Sequence, residues 1–287
     1  MKENALDRKE RTIRNLEINT ILYLLFYFFV YSIVGWMLES SYRSLIERKL
    51  INSGFLHGPY CPIYGFGAVI MFLFLDGFEN NTILLFIMGF LVLSAWEYVV
   101  GVLLEKVYHT KYWDYSHSHF NIQGRVCLLN SIYWGILGVI FIKIIHPFVQ
   151  DLTLSIPYHW LVTLDVSLLA IFVTDFIISN GKIKGIDKQL AYLKEITETI
   201  KEKIKEIKKA REEEIKNEEI IQTLKEALDE LKQKQDILKM NLYKQSIRLK
   251  KAFPTIQSDK INEILKKEID LNVLKNRIHK KNKESKK

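Results

Sequence analysis

Five long apolar runs constrain this chain more than any other feature. They are INTILYLLFYFFVYSIVGWML (Ile18–Leu38), GPYCPIYGFGAVIMFLFL (Gly58–Leu75), TILLFIMGFLVLSAWEYVVGVLL (Thr82–Leu104), VCLLNSIYWGILGVIFIKII (Val126–Ile145) and WLVTLDVSLLAIFVTDFIIS (Trp160–Ser179). A helix needs about 20 apolar residues to cross a hydrocarbon core, and inside that core the backbone must satisfy its own hydrogen bonds. The runs therefore predict an all-α, polytopic helical membrane protein with about five transmembrane helices, preceded by a charged segment over 1–17. The first run is too long for a secretory leader, and no small-residue cleavage site follows Trp36.

Charge divides the chain in two. Residues 1–179 carry 12 Lys/Arg and 14 Asp/Glu, whereas residues 180–287 carry 29 and 19, so the basic excess belongs to the tail. Within the apolar part, the first loop holds Arg43, Arg48 and Lys49, and the third holds Lys106 and Lys111, with Arg125 at its exit. The second and fourth loops hold no Lys or Arg. Basic short loops stay cytoplasmic, which puts loops one and three and the tail inside the cell and the N-terminus outside. Lys2, Arg8, Lys9, Arg11 and Arg14 oppose that N-terminal placement. A first run that dips in and returns, or a sixth crossing, would reconcile them.

The second run opens on HGPYCPIYGFG, His57–Gly67, which crowds two prolines and three glycines into the start of an apolar segment. Proline lacks an N–H and restricts the residue before it, so Pro59 and Pro62 belong to a non-helical approach or a first helical turn. Irregular backbone at membrane depth survives only where protein or a water-filled cavity satisfies it. Gly65 and Gly67 would admit a neighbouring helix closely, and Tyr60 and Tyr64 would sit in the interfacial aromatic belt. On the same side, the third loop mixes aromatic and polar residues in WDYS and NIQGR. Together the two loops predict a pocket lined by His57, Tyr60, Cys61, Trp113, Asp114, Asn121, Gln123 and Arg125. The plainer reading makes the aromatic residues belt anchors and Asp114 with Arg125 a loop-stapling ion pair.

Four acidic residues lie within or at the ends of the runs. Glu97 is deep in the third, Asp165 and Asp175 are in the fifth, and Glu39 closes the first. An ionisable group near the bilayer centre costs roughly 2.5–3.5 kcal/mol on insertion scales. Asp165 and Asp175 are separated by about 80° around a helix and can both face inward. With Glu97 they could form an ion or proton relay, or they could simply pair with Arg125, Lys143, hydroxyls or backbone. His57 and Cys61 do not make a metal site, because proline interrupts the helix that would bring them together. A catalytic Cys–His pair is equally weak, and the sequence calls for no cofactor and no enzymatic activity.

The segments YSIVGWMLES, GFLHGPYCPIYGFG, EYVVGVLLE, WDYS, and FNIQGRVCL followed by SIYWG resemble, in order, the marks of the bacterial family described as putative ABC-transporter type IV, also called CmpB-like. The resemblance runs from about Phe28 to Pro147. It implies a multi-pass membrane protein, a permease component, and carries no substrate or catalytic residue with it. No G-x-x-x-x-G-K-[ST] occurs in the sequence, and GKIKGIDK lacks its spacing, so any ATPase is expected to be a separate chain.

The tail is expected to hold a cytoplasmic coiled coil over 185–252. Its seam is Ile221, Leu224, Leu228, Leu231, Gln235, Leu238, Leu242, Gln245, Leu249 and Ala252, spaced alternately by three and four. Helical throughout, 185–252 would extend about 100 Å; a hairpin turning near 208–219 is the alternative. Homo-oligomerisation through the seam, or recruitment of a soluble cytoplasmic partner, follows from it. Residues 253–287 read as a break at Pro254, an amphipathic helix over Ser258–Ile278 and a basic end. Interleaved Lys and Glu with few aromatics argue against nucleic acid and for solubility or the anionic face of the lipid bilayer. A membrane-anchored scaffold or sensor is the rival to transport, and an intramembrane enzyme acting on a lipid-linked substrate the remaining alternative.

Overall fold

The computed structural model describes residues 2–212 and 218–266, with side chains over 19–210 and 219–266. All five apolar runs form helices, the second only from Pro62 and the fourth only from Leu128. Helix α1 is Lys2–Glu47, α2 Pro62–Leu75 closed by a tight turn over Asp76–Phe78, and α3 Thr82–Tyr108. Helix α4 is Leu128–Ile140; it passes through one wide π-helical turn, Phe141–Ile145, into α5, His146–Leu154. Helix α6 is Tyr158–Glu212, α7 Glu218–Ala252 and α8 Asp259–Lys266. Four segments, Asn19–Glu47, Thr82–Tyr108, Leu128–Leu154 and Tyr158–Ala210, are long and apolar enough to cross a membrane. The chain is an all-helical polytopic membrane protein.

Helix α2 is the short one. Its 14 residues rise about 21 Å, against the roughly 30 Å of a hydrocarbon core. Pro62 occupies its first turn, where a missing N–H costs nothing, and Cys61 before it is extended. The chain approaching it, 48–61, is irregular and held at Gly54 in a left-handed backbone. Two buried residues fix this stretch from below: the Cys61 N–H donates to the Ser32 carbonyl at 2.9 Å, and Leu56 is fully enclosed.

The chain forms two compact units, Met1–Ser179 with Lys251–Gln257, and Asn180–Lys250 with Ser258 onward. In the first, the core runs between α1, α2, α3, the π-helical turn and α5 through Tyr27, Met71, Leu75, Leu85, Phe141 and Val149. Backbones approach closely at two places. Gly65 of α2 lies against Ser32 and the Phe28 carbonyl of α1, whereas the Gly67 position makes only ordinary contact with Trp96. Gly89 of α3 faces Gly135 and Gly138 of α4, so closely that a Cβ there would lie 3.3 Å from the Gly138 Cα. Helix α6 meets α1 through rings instead: Phe172 stacks edge-on against Phe28 and Phe29, with centroids 5.5 and 5.9 Å apart. Its outer side exposes Val166, Ile171 and Ile177, a surface suited to hydrocarbon.

In the second unit the seam residues Leu224, Leu228, Leu231 and Leu238 of α7 pack on Ile196, Ile200 and Ile207 of α6. Gln235 donates to the Thr197 hydroxyl at 2.8 Å, so one of the two seam glutamines is satisfied inside this packing. The bond between Thr197 of α6 and Gln235 of α7, 38 positions apart, pairs the two helices as successive arms of the chain. The hairpin alternative is thus the one realised; residues 213–217 lie outside the described residues. Heptad spacing states that a helix wants an apolar partner, and here α6 supplies it. Of the amphipathic helix expected over Ser258–Ile278, Asp259–Lys266 is helical with Ile261 and Ile264 buried; the remainder and the basic end lie outside the described residues, as do the side chains of 1–17.

Candidate functional site

Three of the four intramembrane carboxylates are tied to the end of the first unit formed by loops 48–61 and 109–127. Asp175 of α6 gathers the second run's opening. It accepts the backbone N–H of Gly58 at 2.6 Å, that of His57 at 3.1 Å, the Tyr60 hydroxyl at 2.9 Å and the Ser179 hydroxyl at 2.9 Å. The His57 ring lies 2.6 Å from the Ser179 oxygen, and its backbone carbonyl accepts from Asn52, whose own oxygen accepts the Trp36 indole N–H. Glu39 accepts the Tyr64 hydroxyl at 2.9 Å. Tyr60 and Tyr64 thus turn inward onto carboxylates instead of outward to a headgroup belt. Burial first, and then the hydrogen bond and charge of Asp175, push the Tyr60 phenol well above its ordinary range.

Glu97 is buried in α3. Its carboxylate accepts the Trp134 indole N–H of α4 at 2.9 Å and the Tyr115 hydroxyl at 3.2 Å, with the Asn130 side chain as a further donor. Tyr115 comes from the third loop, and burial beside Glu97 raises its phenol far above the usual value. Asp165 is enclosed completely, and among the described residues neither of its oxygens has a hydrogen-bond partner. The relay residues therefore occupy separate surroundings: Glu97 between α3, α4 and the third loop, Asp175 under the first loop, Asp165 on the inner stripe of α6.

The third loop is stapled by its own polar groups. The Trp113 indole donates to the Arg125 carbonyl at 2.9 Å, the Tyr115 N–H to the Gly124 carbonyl at 2.8 Å, and Asn121 both donates to the Ser116 and Ser118 carbonyls and accepts from the Gly124 N–H. Phe120, Gln123 and Gly124 have positive φ, a conformation that costs a non-glycine residue about 1 kcal/mol or more and so needs such staples. Arg125 pairs with Glu105 at 2.5 Å, contacts the Gln123 side chain and lies over the Tyr98 ring. Asp114 accepts the Ser116 hydroxyl at 2.6 Å and contacts the Gln257 amide. The two opposite charges of this loop thus serve different partners. Among the described residues no three His, Cys, Asp or Glu side chains gather to hold a metal ion.

A family described as putative ABC-transporter type IV matches residues 26–180. The chain belongs to that family. No curated protein and no solved structure matches it. The stretch matched by this ABC-transporter-related family contains the Asp175 and Glu97 clusters and both loops, and ends before Lys251–Gln257.

Sequence reasoning singled out His57, Tyr60 and Asp175 separately, and the structure brings them together. It did not single out Tyr115, Asn130, Trp134 or Ser179. Ser179 had a signal, one helical turn after Asp175; Tyr115 and Trp134 reach Glu97 from 18 and 37 positions away, which no local pattern reports. Cys61 is buried, its thiol pushed up from 9.0 to about 12 by burial first and the Glu39 charge second. Below about pH 9 it is neutral folded or unfolded. Between about pH 9 and 12 only the unfolded chain loses this proton, so stability falls as pH rises through that window. Alkaline unfolding curves of wild type and Cys61→Ala should accordingly diverge above pH 9, the variant showing the shallower loss.

Proposed function

We propose that this chain is the membrane-embedded, transport-related component of a multi-chain system in a bacterial inner membrane. In this reading loops 48–61 and 109–127 and the tail are cytoplasmic, the N-terminus is outside, and a separate ATPase subunit supplies the energy. Glu97 carries the reading. A carboxylate inside an apolar helix is costly to insert, and this one is held by Tyr115 from the loop and Trp134 from the next helix, so that a polar connection runs from the bundle interior to the loop end. A group in that position can bind a cation or proton, or sense movement of the loop. Glu97→Gln is expected to lower transport by the complex tenfold or more while membrane insertion and yield stay at wild-type level. Transport at wild-type rate in that variant would remove Glu97 from the mechanism.

A membrane-anchored scaffold is the second reading, favoured by the long α6–α7 pair, which offers an extended helical surface to a soluble partner or to a second copy. Purification in mild detergent with and without residues 185–287 separates the two. An ATPase retained on the shortened chain supports transport through the loops; a soluble partner lost with the tail supports the scaffold.

A further inference from the structure

The segment Lys251–Gln257, the last two residues of α7 and the five after them, packs with the membrane unit. Pro254 ends the helix, and the chain then runs antiparallel to the third loop: the Gln257 N–H donates to the Lys111 carbonyl at 2.8 Å, and the Lys111 N–H to the Gln257 carbonyl at 3.2 Å. The Asp114 N–H donates to the Thr255 hydroxyl, and the Gln257 amide meets the Asp114 carboxylate. Ile256 is buried, Phe253 packs edge-on against Tyr112 at 4.8 Å, and Arg43 at the end of α1 donates to the Lys251 carbonyl at 2.8 Å. This is strand addition by the chain itself onto a short loop edge, a contact of few main-chain bonds. The residue after Asp114 is Tyr115, the loop's ligand to Glu97.

We propose that Lys251–Gln257 is a releasable strap that holds the 109–127 loop closed over Glu97. With the strap in place, Asp114 is fixed on both its backbone and side-chain sides, and Tyr115 stays on the carboxylate. With the strap displaced, the loop edge is free for an extended peptide of a partner, and Tyr115 can leave, opening Glu97 to water. Such a short pairing suits a switch because contacts of this size open far more readily than a packed core. The proposal stands on the loop geometry and holds whether or not the chain transports anything.

Two measurements on the full chain in detergent test it. In the unmodified protein, hydrogen exchange should show the Gln257, Asp114 and Tyr115 amides opening together, faster than the α3 and α4 amides around Glu97. Tyr115 protected while Gln257 exchanges would overturn the strap's control of the loop. Second, maleimide labelling with mass mapping reads both native thiols, Cys127 at the end of the 109–127 loop and Cys61 at the end of the 48–61 loop, each buried at rest. Gln257→Pro removes the strap's main-chain donor, and the milder pair Thr255→Ala with Gln257→Ala removes its two side-chain hydrogen bonds to Asp114. Both are expected to raise Cys127 labelling at least tenfold with Cys61 unchanged, and a synthetic peptide of residues 251–258 to reverse the rise. An unchanged Cys127 rate overturns the proposal. So does a joint rise of both thiols in both variants, which would make the segment an ordinary part of the fold.

Discussion

Gly65→Ala is expected to destabilise the membrane unit by about 1–3 kcal/mol, enough to cut the yield of folded protein, although it adds a single methyl group. The added Cβ would overlap the Ser32 hydroxyl and the Phe28 carbonyl oxygen. A carbonyl in a helix cannot move away without breaking the ladder, so α1 and α2 must separate. Two residues on, Gly67→Ala meets nothing nearer than 3.8 Å and should stay within about 0.5 kcal/mol of wild type. Thermal melts followed by fluorescence-detected size exclusion give both numbers. Equal melting of the two variants would mean that α1 and α2 are not in this register.

The second large effect is expected at Asp175. Replacing it by Ala leaves the His57 and Gly58 N–H groups and the Tyr60 hydroxyl without their acceptor. A buried donor left unpaired costs about 1–3 kcal/mol, and water reaching the loop from outside offsets part of that. The net loss should be about 2–4 kcal/mol, with the 54–61 loop loosened and Cys61 labelled several-fold faster. Asp175→Asn keeps one acceptor oxygen and should fall between Ala and wild type. Wild-type labelling of Cys61 in the Ala variant would show that Asp175 does not clamp the loop.

The sequence made the helices legible because hydrocarbon demands length and apolarity, which five runs display, and because Pro62 marks where α2 can begin. It made the α7 seam legible but not its occupant, since a three–four spacing is satisfied by any apolar helix. The Asp175 clamp was legible only in parts. Two of its donors are backbone N–H groups, which leave no trace in side-chain identity. The strap was illegible for a related reason: its pairing with Lys111 is main-chain, and Pro254 to Gln257 is too short to show a strand's alternation. Glu97 stood out by cost alone; its ligands lie on another helix and another loop.

The contrast between the glycine contact of α3 with α4 and the ring contact of α1 with α6 gives the bundle uneven stiffness. Where Gly89 meets Gly138 the contact is backbone to backbone, with no side-chain rotors at that point, so α3 and α4 have little to rearrange there and are expected to travel together. Phe28, Phe29 and Phe172 can each rotate about two bonds and re-stack. Compliance is therefore concentrated along the α1–α6 seam, and a displacement of the unit is expected to appear there as changed ring packing before it appears anywhere between α3 and α4.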